Sequence, residues 1–401
     1  MSVQSMQSSE MAAPTQLEWR DSKRYAWLLG TLIPAIPFLG WGLVSWTGYD
    51  VFWFTGPMVV FVLIPLLDLV VGRDPNNAPD EVLDRLENDR YYRWITYAFL
   101  PMQYLTVLWT AWMISQPQHD VLDRIGMALT AGMVAGIAIN TAHELGHKKE
   151  AHERWLAKIA LAQPFYGHFY IEHNRGHHVR VSTPEDPASS RLGENVWSFL
   201  PRTMSGSLRS AWELEKKRFA RLGKSHWTIK NDVLNAWLMS VVLWGGLLAV
   251  FGLGLLPYLV LQALVGIWLL ESVNFLEHYG MKRQKLESGR YERVNPGHSW
   301  NSNNIGTNVV LYHLQRHSDH HANPTRRYQS LRDFPEAPVL PTGYAGMIVL
   351  TWVPAVWRAV MDKRVIAHFE GDVTRANLHP RKAETYLRKY GAGAPTETTA
   401  A

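Results

Sequence analysis

The sequence contains no cysteine, and this absence excludes several kinds of site. A chain without thiols forms no disulfide, no zinc ribbon and no thiolate-bound iron–sulfur cluster. No glycine-rich dinucleotide-binding motif follows a predicted strand, so the chain is not expected to bind a nicotinamide or flavin cofactor. Any metal site must therefore use nitrogen and oxygen ligands, and any electrons for a redox reaction must come from another protein.

Charged residues are absent from five long stretches, although they make up 19% of the chain. These stretches are residues 25–46, 51–67, 94–115, 125–142 and 233–270. About 20 apolar residues cross the ~30 Å hydrocarbon core of a bilayer, so the last stretch is long enough for two spans. Many of the 18 tryptophans lie near the ends of these stretches, as interfacial belts require. The sequence therefore predicts an all-α, polytopic membrane protein with six transmembrane helices.

Lysine and arginine are unevenly distributed between the two sides of the predicted spans. Before the fourth span, seven lie on the side of the N-terminus, and only Arg124 lies on the other side. The positive-inside rule then places the N-terminus in the cytoplasm. Residues 1–19 are polar and lack the apolar core of a signal peptide. We expect a multi-pass protein of a bacterial-type inner membrane, with both termini and the large polar segments in the cytoplasm.

Four parts follow along the chain. They are a cytoplasmic N-terminal segment at 1–24, a membrane domain at 25–280, a cytoplasmic histidine-rich helical cap at 281–390 and a disordered, linker-like tail at 391–401. The membrane domain includes a cytoplasmic insertion at 148–232. Within it, residues 207–225 form a basic amphipathic helix, for which a solvated or lipid-facing role is favoured over docking. Residues 337–357 are uncharged but contain three prolines, which favours a packed or interfacial segment over a seventh span.

Nine of the 17 histidines fall in four short motifs. They are His143 and His147 in HELGHK, His173, His177 and His178 in EHNRGHH, His278 in NFLEHYGM, and His317, His320 and His321 in LQRHSDHH. Spacings of three and four place side chains on one helical face, so each cluster can direct several imidazoles to one point. Nine ligands exceed the needs of one metal and suit two. Imidazole binds iron, copper and zinc alike, so the ligands alone do not identify the metal.

The His-Glu-x-x-His pattern at His143 is also found in zinc peptidases, which need three protein ligands and an open position. An intramembrane zinc metallopeptidase is therefore the alternative from a different class of enzyme. A haem protein would need only isolated axial histidines on facing spans, and the clustering argues against it.

HELGHK, EHNRGHH and LQRHSDHH resemble the three histidine boxes of the integral-membrane alkane 1-monooxygenases, which belong to the membrane fatty-acid desaturase and hydroxylase superfamily. NFLEHYGM resembles an additional signature of that family, in which Tyr is more usual at the position of Phe275. TPEDPASSR, HSWNSN and PTRRYQSLRDFP extend the resemblance across most of the chain.

The resemblance implies that the nine histidines hold two non-haem iron ions. It also implies that O₂ is used to hydroxylate the terminal methyl group of medium-chain n-alkanes to primary alcohols. Electrons would come from rubredoxin, itself reduced by an NAD(P)H-dependent rubredoxin reductase. A membrane fatty-acyl desaturase or hydroxylase shares the three boxes and is the alternative within the superfamily.

Carboxylates near the histidines are candidates for orienting them, because a ligating imidazole usually donates its second N–H to a carboxylate or carbonyl. Four are adjacent in sequence to a proposed ligand, and one follows the second cluster; they are Glu144, Glu172, Glu277, Asp319 and Asp186. For each of them, a position at the protein surface is the competing interpretation.

An alkane offers no polar group, so its binding must come from an apolar slot at ~0.8 kcal/mol per buried CH₂. Helical spacing from His143 and His278 selects candidates for this slot, namely Gly136 and Ile139 on the fourth span and Ile267, Glu271 and Asn274 on the sixth. Val60 on the second span is the candidate that sets the depth. A small residue such as Gly136 serves close helix packing equally well.

Basic residues of the inner segments are candidates for docking an acidic rubredoxin. They are Lys216, Lys217, Arg218, Arg326 and Arg327. Contact with anionic lipid explains the same charges as well as docking does.

Overall fold

The structure, a computed structural model, describes residues 19–74 and 76–391. Within these residues it contains helices and four isolated β-bridges but no strand, so the prediction of an all-α protein is confirmed. Most of the predicted N-terminal segment lies outside the described residues. The same is true of the predicted tail after residue 391.

The helices follow one another with short connections. In chain order they are α1 (Leu28–Thr47), α2 (Asp50–Val71), α3 (Asp80–Asn88), α4 (Arg90–Ser115), α5 (Val121–Gly146), α6 (Ala151–Ala160), α7 (Phe169–Ile171, continued by the π-helical Glu172–His177 and by His178–Arg180), α8 (Val196–Arg221), α9 (Asp232–Phe251), α10 (Leu253–His278), α11 (Ile305–Val310), α12 (His317–Ala322), α13 (Tyr344–Thr351), α14 (Pro354–His368) and α15 (Ala383–Tyr390).

Five of these helices are long and apolar enough to cross a membrane, namely α1, α2, α5, α9 and α10. The remaining predicted span, third along the chain, corresponds to α4, a helix of 26 residues. Its tyrosines, threonines and glutamine make α4 less apolar than the other five, so its assignment as a span stays a prediction. The uncharged stretch at 337–357 forms α13 and the start of α14, which are separate short helices.

Helix α5 lies at the centre of the membrane helices. In its apolar 18-residue window 89% of residues are buried, against 28% to 44% in the other four candidate spans. A Cβ at Gly132 or Gly136 would come within 2.7 Å of side chains on α10, and one at Gly266 within 2.9 Å of Ala135. Small residues therefore let α5 and α10 approach closely, which places their C-terminal ends side by side.

The two large polar segments pack together at the C-terminal ends of α5 and α10. Leu192 of the first segment donates its N–H to the carbonyl of Asn377 at 2.7 Å, and Arg283 donates to that of Ser182 at 2.7 Å. The basic amphipathic helix predicted at 207–225 is part of α8. It buries one face, where Phe199 stacks against Phe275 of α10, and exposes Lys216 and Lys217 on the other.

A buried ion pair joins the start of the chain to the third histidine motif. Arg316 is 2% exposed, and its Nη2 donates to Asp74 Oδ2 at 2.8 Å, while Lys23 Nζ donates to the same oxygen at 2.6 Å. Burial alone would raise the pKa of Asp74, but hydrogen bonds from His313 and Lys23 and the nearby charges hold it well below its usual range. Asp74 is therefore ionised at neutral pH and neutralises the charge beside His317.

We predict that Asp74→Asn destabilises the protein strongly, because it leaves the Arg316 guanidinium buried without a counter-ion. Removing one partner of a buried pair costs about 3–5 kcal/mol. The control is Asp89→Asn, which breaks the half-exposed pair with Arg24 and should cost at most about 1 kcal/mol. Thermal unfolding midpoints in one detergent compare the two variants. Equal midpoints would show that the buried pair contributes no more to the stability of the protein than the exposed pair does.

Candidate metal centre

The structure brings the nine clustered histidines together at the C-terminal ends of α5 and α10. They form two groups: His143, His147, His173, His178 and His320 make the first, and His177, His278, His317 and His321 make the second. Within each group the candidate ligand nitrogens all lie within 4.8 Å of one another. Each group has enough nitrogens to hold one metal ion.

Helices α7 and α12 each contribute to both groups. In α7, His173 and His178 belong to the first group and His177 to the second. This division depends on the π-helical segment Glu172–His177, whose wider turn changes the angle between successive side chains. In α12, His320 belongs to the first group, whereas His317 and His321, one turn apart, belong to the second.

The distances between ring nitrogens fit shared metal ions. In the first group, His320 Nε2 lies 2.8 Å from His143 Nε2 and 3.1 Å from His178 Nε2. In the second, His317 Nε2 lies 2.9 Å from His321 Nε2 and 3.3 Å from His278 Nε2. A neutral imidazole carries a single N–H, so such sets cannot all be hydrogen bonds. Two nitrogens that bind one metal at about 2.1 Å lie about 3 Å apart, as these do.

Burial favours the form of imidazole that binds metals. It lowers the pKa of His173, His178 and His320 well below the usual range, and neighbouring histidines lower it further. These rings are therefore neutral at neutral pH, with a lone pair available to a cation. His147 Nε2 and His177 Nε2 are buried without a hydrogen-bond partner among the described residues. The donor set therefore fits metal ions.

A narrow apolar cavity lies beside the histidines, among α2, α5, α10 and α13. Val60 and Gly136, both predicted for the substrate slot, line it. Asn140 and Leu314 also line it. Asn140 lies three residues before His143, and Leu314 lies three residues before His317. About 40 Å³ is open within it. The cavity therefore lies between candidate membrane spans and chain segments that carry two of the clustered histidines.

Comparison with known proteins identifies the family. Residues 124–351 match the model of the fatty acid desaturase family. An alkane 1-monooxygenase of Ectopseudomonas oleovorans is 48% identical over 386 residues, which cover 96% of each chain. One of Pseudomonas putida is 47% identical over 373 residues, which cover 93% of each chain. The chain belongs to the alkane 1-monooxygenase family. A more distant relative is the xylene/toluene monooxygenase hydroxylase component of Pseudomonas putida, 26% identical over 250 residues, covering 61% of this chain and 65% of the relative.

Two of the five predicted carboxylates contact the histidines of this alkane 1-monooxygenase family member. Asp186 Oδ2 lies 2.9 Å from His177 Nδ1 and accepts a hydrogen bond from Ser189 Oγ at 2.6 Å. Burial alone would raise the pKa of Asp186, but His177 and Ser189 outweigh it and lower the pKa to about 2. Glu277 Oε2 lies 3.2 Å from His317 Nε2. Asp186 therefore orients the His177 ring, whereas Glu277 lies among the ligand nitrogens themselves.

The other three carboxylates pair with cations, and no described hydrogen bond joins them to a histidine. Glu144 accepts from Lys148 Nζ at 2.9 Å and from the backbone of Tyr328. Asp319 accepts both contacts of the Arg326 guanidinium, at 2.7 and 2.9 Å.

Glu172 pairs with Arg180 at 2.7 Å. Burial raises the pKa of Glu172 to about 7, although the Ser210 hydroxyl and Arg180 oppose the rise. Glu144 thus links its helix to the segment of Tyr328, whereas Glu172 and Asp319 pair with arginines nearby in the chain. Adjacency to a histidine in the sequence could not distinguish these contacts from the orientation of a ring.

The remaining residues predicted for the substrate slot lie outside the cavity that Val60 lines. Ile139 and Ile267 are buried in a different apolar cluster with Ala142 and Phe169. Glu271 accepts hydrogen bonds from Tyr166 Oη at 2.7 Å, Thr203 Oγ1 at 2.9 Å and Asn274 Nδ2 at 3.1 Å. Glu271 and Asn274 therefore serve a buried polar network.

The five basic residues predicted for docking differ in their surroundings. Arg327 is buried, and its guanidinium pairs with Glu153 at 3.0 Å, so it is not available to a partner. Arg218 pairs with Glu215 at 2.5 Å, and Arg326 pairs with Asp319. Lys216 and Lys217 are exposed on α8 and are the two that remain accessible.

We predict that Asp186→Asn weakens metal binding, because the amide no longer accepts a charge-assisted hydrogen bond from His177. Loss of such an orienting carboxylate typically costs 10–100-fold in affinity, so we expect about that loss. The matched control is Glu185→Gln, an exposed neighbour that accepts a hydrogen bond from Tyr291 and does not contact the clustered histidines in any described hydrogen bond. Metal retained per chain, measured by elemental analysis during a chelator titration, distinguishes the variants. Equal retention in both would rule out the role of Asp186.

Proposed function

We propose that this protein is a di-iron monooxygenase that hydroxylates the terminal methyl group of medium-chain n-alkanes. One observation carries the proposal: the chain holds two groups of clustered histidines and a mostly apolar cavity, and the cavity wall includes Asn140 and Leu314, each three residues before a clustered histidine. The curated relatives named alkane 1-monooxygenases support it. The nine histidines would hold two irons, five around one and four around the other.

The bound irons would supply the reductive activation of O₂. One oxygen atom enters the C–H bond and the other leaves as water, with the consumption of two electrons and two protons. The chain's own residues bind and orient the substrate. The cavity excludes water from the alkyl chain and directs one end of it toward the turns that carry Asn140 and Leu314, next to His143 and His317. Asp186 holds the His177 ring at a fixed orientation.

Electrons would come from rubredoxin and its NAD(P)H-dependent reductase. Rubredoxin would approach from the cytoplasm, where the positive-inside bias places the histidine-bearing segments of an inner-membrane protein with six spans. Lys216 and Lys217 on α8 are the basic residues best placed to meet an acidic partner, because both are exposed.

The structure disfavours the two alternatives for specific reasons. A fatty-acyl substrate needs polar partners for its head group, but the amide of Asn140 in the cavity wall already donates to the Leu311 carbonyl at 2.9 Å. A zinc peptidase of the His-Glu-x-x-His type needs the glutamate as a general base. Here Glu144 pairs with the buried Lys148 and is not free for that role.

Turnover under ¹⁸O₂ tests the proposal. Detergent-solubilised protein loaded with ferrous iron, with rubredoxin, its reductase and NADH, should convert a medium-chain n-alkane to labelled primary alcohol. His320→Ala should abolish the product, whereas His152→Ala, which removes an exposed histidine outside both groups, should retain it. An unlabelled alkene product would indicate a desaturase. No product from the iron-loaded protein while NADH is consumed would refute alkane hydroxylation.

We predict that Val60→Trp shortens the longest alkane accepted, because Val60 lines the cavity and is 4% exposed. Turnover of the longest substrates should fall about tenfold, since one methylene too many in a filled slot costs 1–3 kcal/mol. Val62→Trp is the control, because Val62 lies in the same π-helical segment but is 55% exposed. The measurement is the ratio of alcohols formed from a mixture of n-alkanes. Identical ratios in the two variants would remove Val60 from the substrate slot.

A further inference from the structure

A basic pocket lies away from the histidines, between α14 and α15. Its volume is about 520 Å³, and its walls carry the cations Arg358, Lys363, Lys382 and Lys389. The single carboxylate in its lining is Asp362. The pocket thus carries an excess of positive charge in a small concave space, which is the arrangement that binds an anion.

Asp362 is the one carboxylate beside four cations in the described lining, so the pocket keeps a net positive charge. Asp362 is buried and accepts hydrogen bonds from Tyr279 Oη at 2.8 Å and from Tyr386 Oη. Among the described residues, neither Arg358 nor Lys363 forms an ion pair. Burial and the charge of Arg358 lower the pKa of Lys382, so an anion in the pocket would relieve repulsion between these two side chains.

The pocket lies next to a surface suited to lipid. Just before α14, Trp352 packs against Trp268 of α10 and Phe61 of α2, so this end of the helix is level with the candidate membrane spans. Val353 and Val356 are 52% and 44% exposed. Arg358 follows Pro354, the first residue of α14, by four residues, which is about 6 Å along the helix axis. Arg358 therefore lies within two helical turns of the exposed valines.

We propose that the pocket between α14 and α15 binds the phosphate headgroup of an anionic phospholipid from the adjoining leaflet. The phosphate lies between Arg358, Lys363 and Lys382, and the acyl chains lie along the exposed valines at the start of α14. Basic pockets beside membrane helices bind lipid headgroups in this way. A soluble acidic protein fits less well, because the pocket is concave and the same helix begins with exposed apolar side chains.

The same pocket adjoins the segment that holds His278. Tyr279 follows His278 directly, and its hydroxyl donates to Asp362 and accepts from the N–H of Gly193. A headgroup that orders α14 and α15 therefore also stabilises the end of α10. Lipid binding is independent of the proposed reaction, so it can be measured whether or not an alkane is hydroxylated.

The test measures stabilisation of the purified full chain by lipid. Protein in a neutral detergent is titrated with phosphatidylglycerol, phosphatidylcholine or inorganic phosphate, and the thermal unfolding midpoint is followed. The test variant is Arg358→Gln with Lys363→Gln, and the matched control is Lys285→Gln with Arg290→Gln, two exposed cations outside the pocket. Thr385→Glu adds a negative charge at an exposed lining position without removing any cation.

We expect only phosphatidylglycerol to raise the midpoint of the unaltered protein and of the control. Each cation lost near a lipid surface weakens binding about fivefold, so the test variant should need about 25-fold more phosphatidylglycerol. Thr385→Glu should lose the response as well. Equal responses of test and control variants would overturn the proposal, as would equal stabilisation by inorganic phosphate. A raised KM for rubredoxin in the test variant, with an unchanged lipid response, would assign the pocket to a protein partner instead.

Discussion

Nine clustered imidazoles constrain the surrounding structure, because they lie in the interior with their nitrogens close enough together to hold metal ions. Lone pairs of nitrogens such as His143 Nε2 and His320 Nε2, 2.8 Å apart, repel one another unless a positive charge lies between them. Burial removes the alternative of protonating the rings, because it disfavours charged imidazolium. The surrounding structure therefore has to supply fixed positions for nitrogen atoms on four separate chain segments, and buried polar contacts near the histidines contribute to this.

The buried carboxylates near the histidines have two different roles. One orients a histidine ring, and others form ion pairs that hold the surrounding chain in place. Asp186 reaches the second nitrogen of His177, whereas Glu144 and Asp319 meet Lys148 and Arg326. An ionised carboxylate in the interior needs a partner of opposite charge or several hydrogen bonds, and a nearby lysine or arginine satisfies it more strongly than a neutral imidazole. As a result, the segment of the first histidine motif is fixed to that of the third through Lys148, whose Nζ also donates to the carbonyl of Arg326 at 2.7 Å.

The ligand candidates were predictable from sequence because helical spacing alone restricts where a side chain points. The same periodicity could not predict how the nine divide into two groups, since the π-helical segment at Glu172–His177 moves His177 away from His173 and His178. Nor could composition show that Arg327 is buried against Glu153. The two residues lie far apart in the chain, and no local pattern indicates which charges pair in the folded protein.

The residues of the predicted substrate slot could likewise be predicted only in part from the sequence. Val60 and Gly136 were identified on their own helices, but the wall contributed by Leu314 and Tyr344 comes from distant parts of the chain and has no local signal. A Cβ at Gly136 would also meet Leu269, so one glycine serves both the close approach of α5 to α10 and the cavity beside it.

The position of this cavity has a physical consequence for specificity. Part of its wall comes from α2, α5 and α10, which are themselves candidate membrane spans, so under the proposed function an apolar substrate would enter from the bilayer. Such a wall distinguishes molecules poorly by polar groups, because it offers few unpaired donors or acceptors. It distinguishes them by length, because each methylene beyond the closed end must displace packed side chains. Under the proposed function, side chains that line the cavity, such as Val60, would therefore determine the accepted chain length more than the metal centre does.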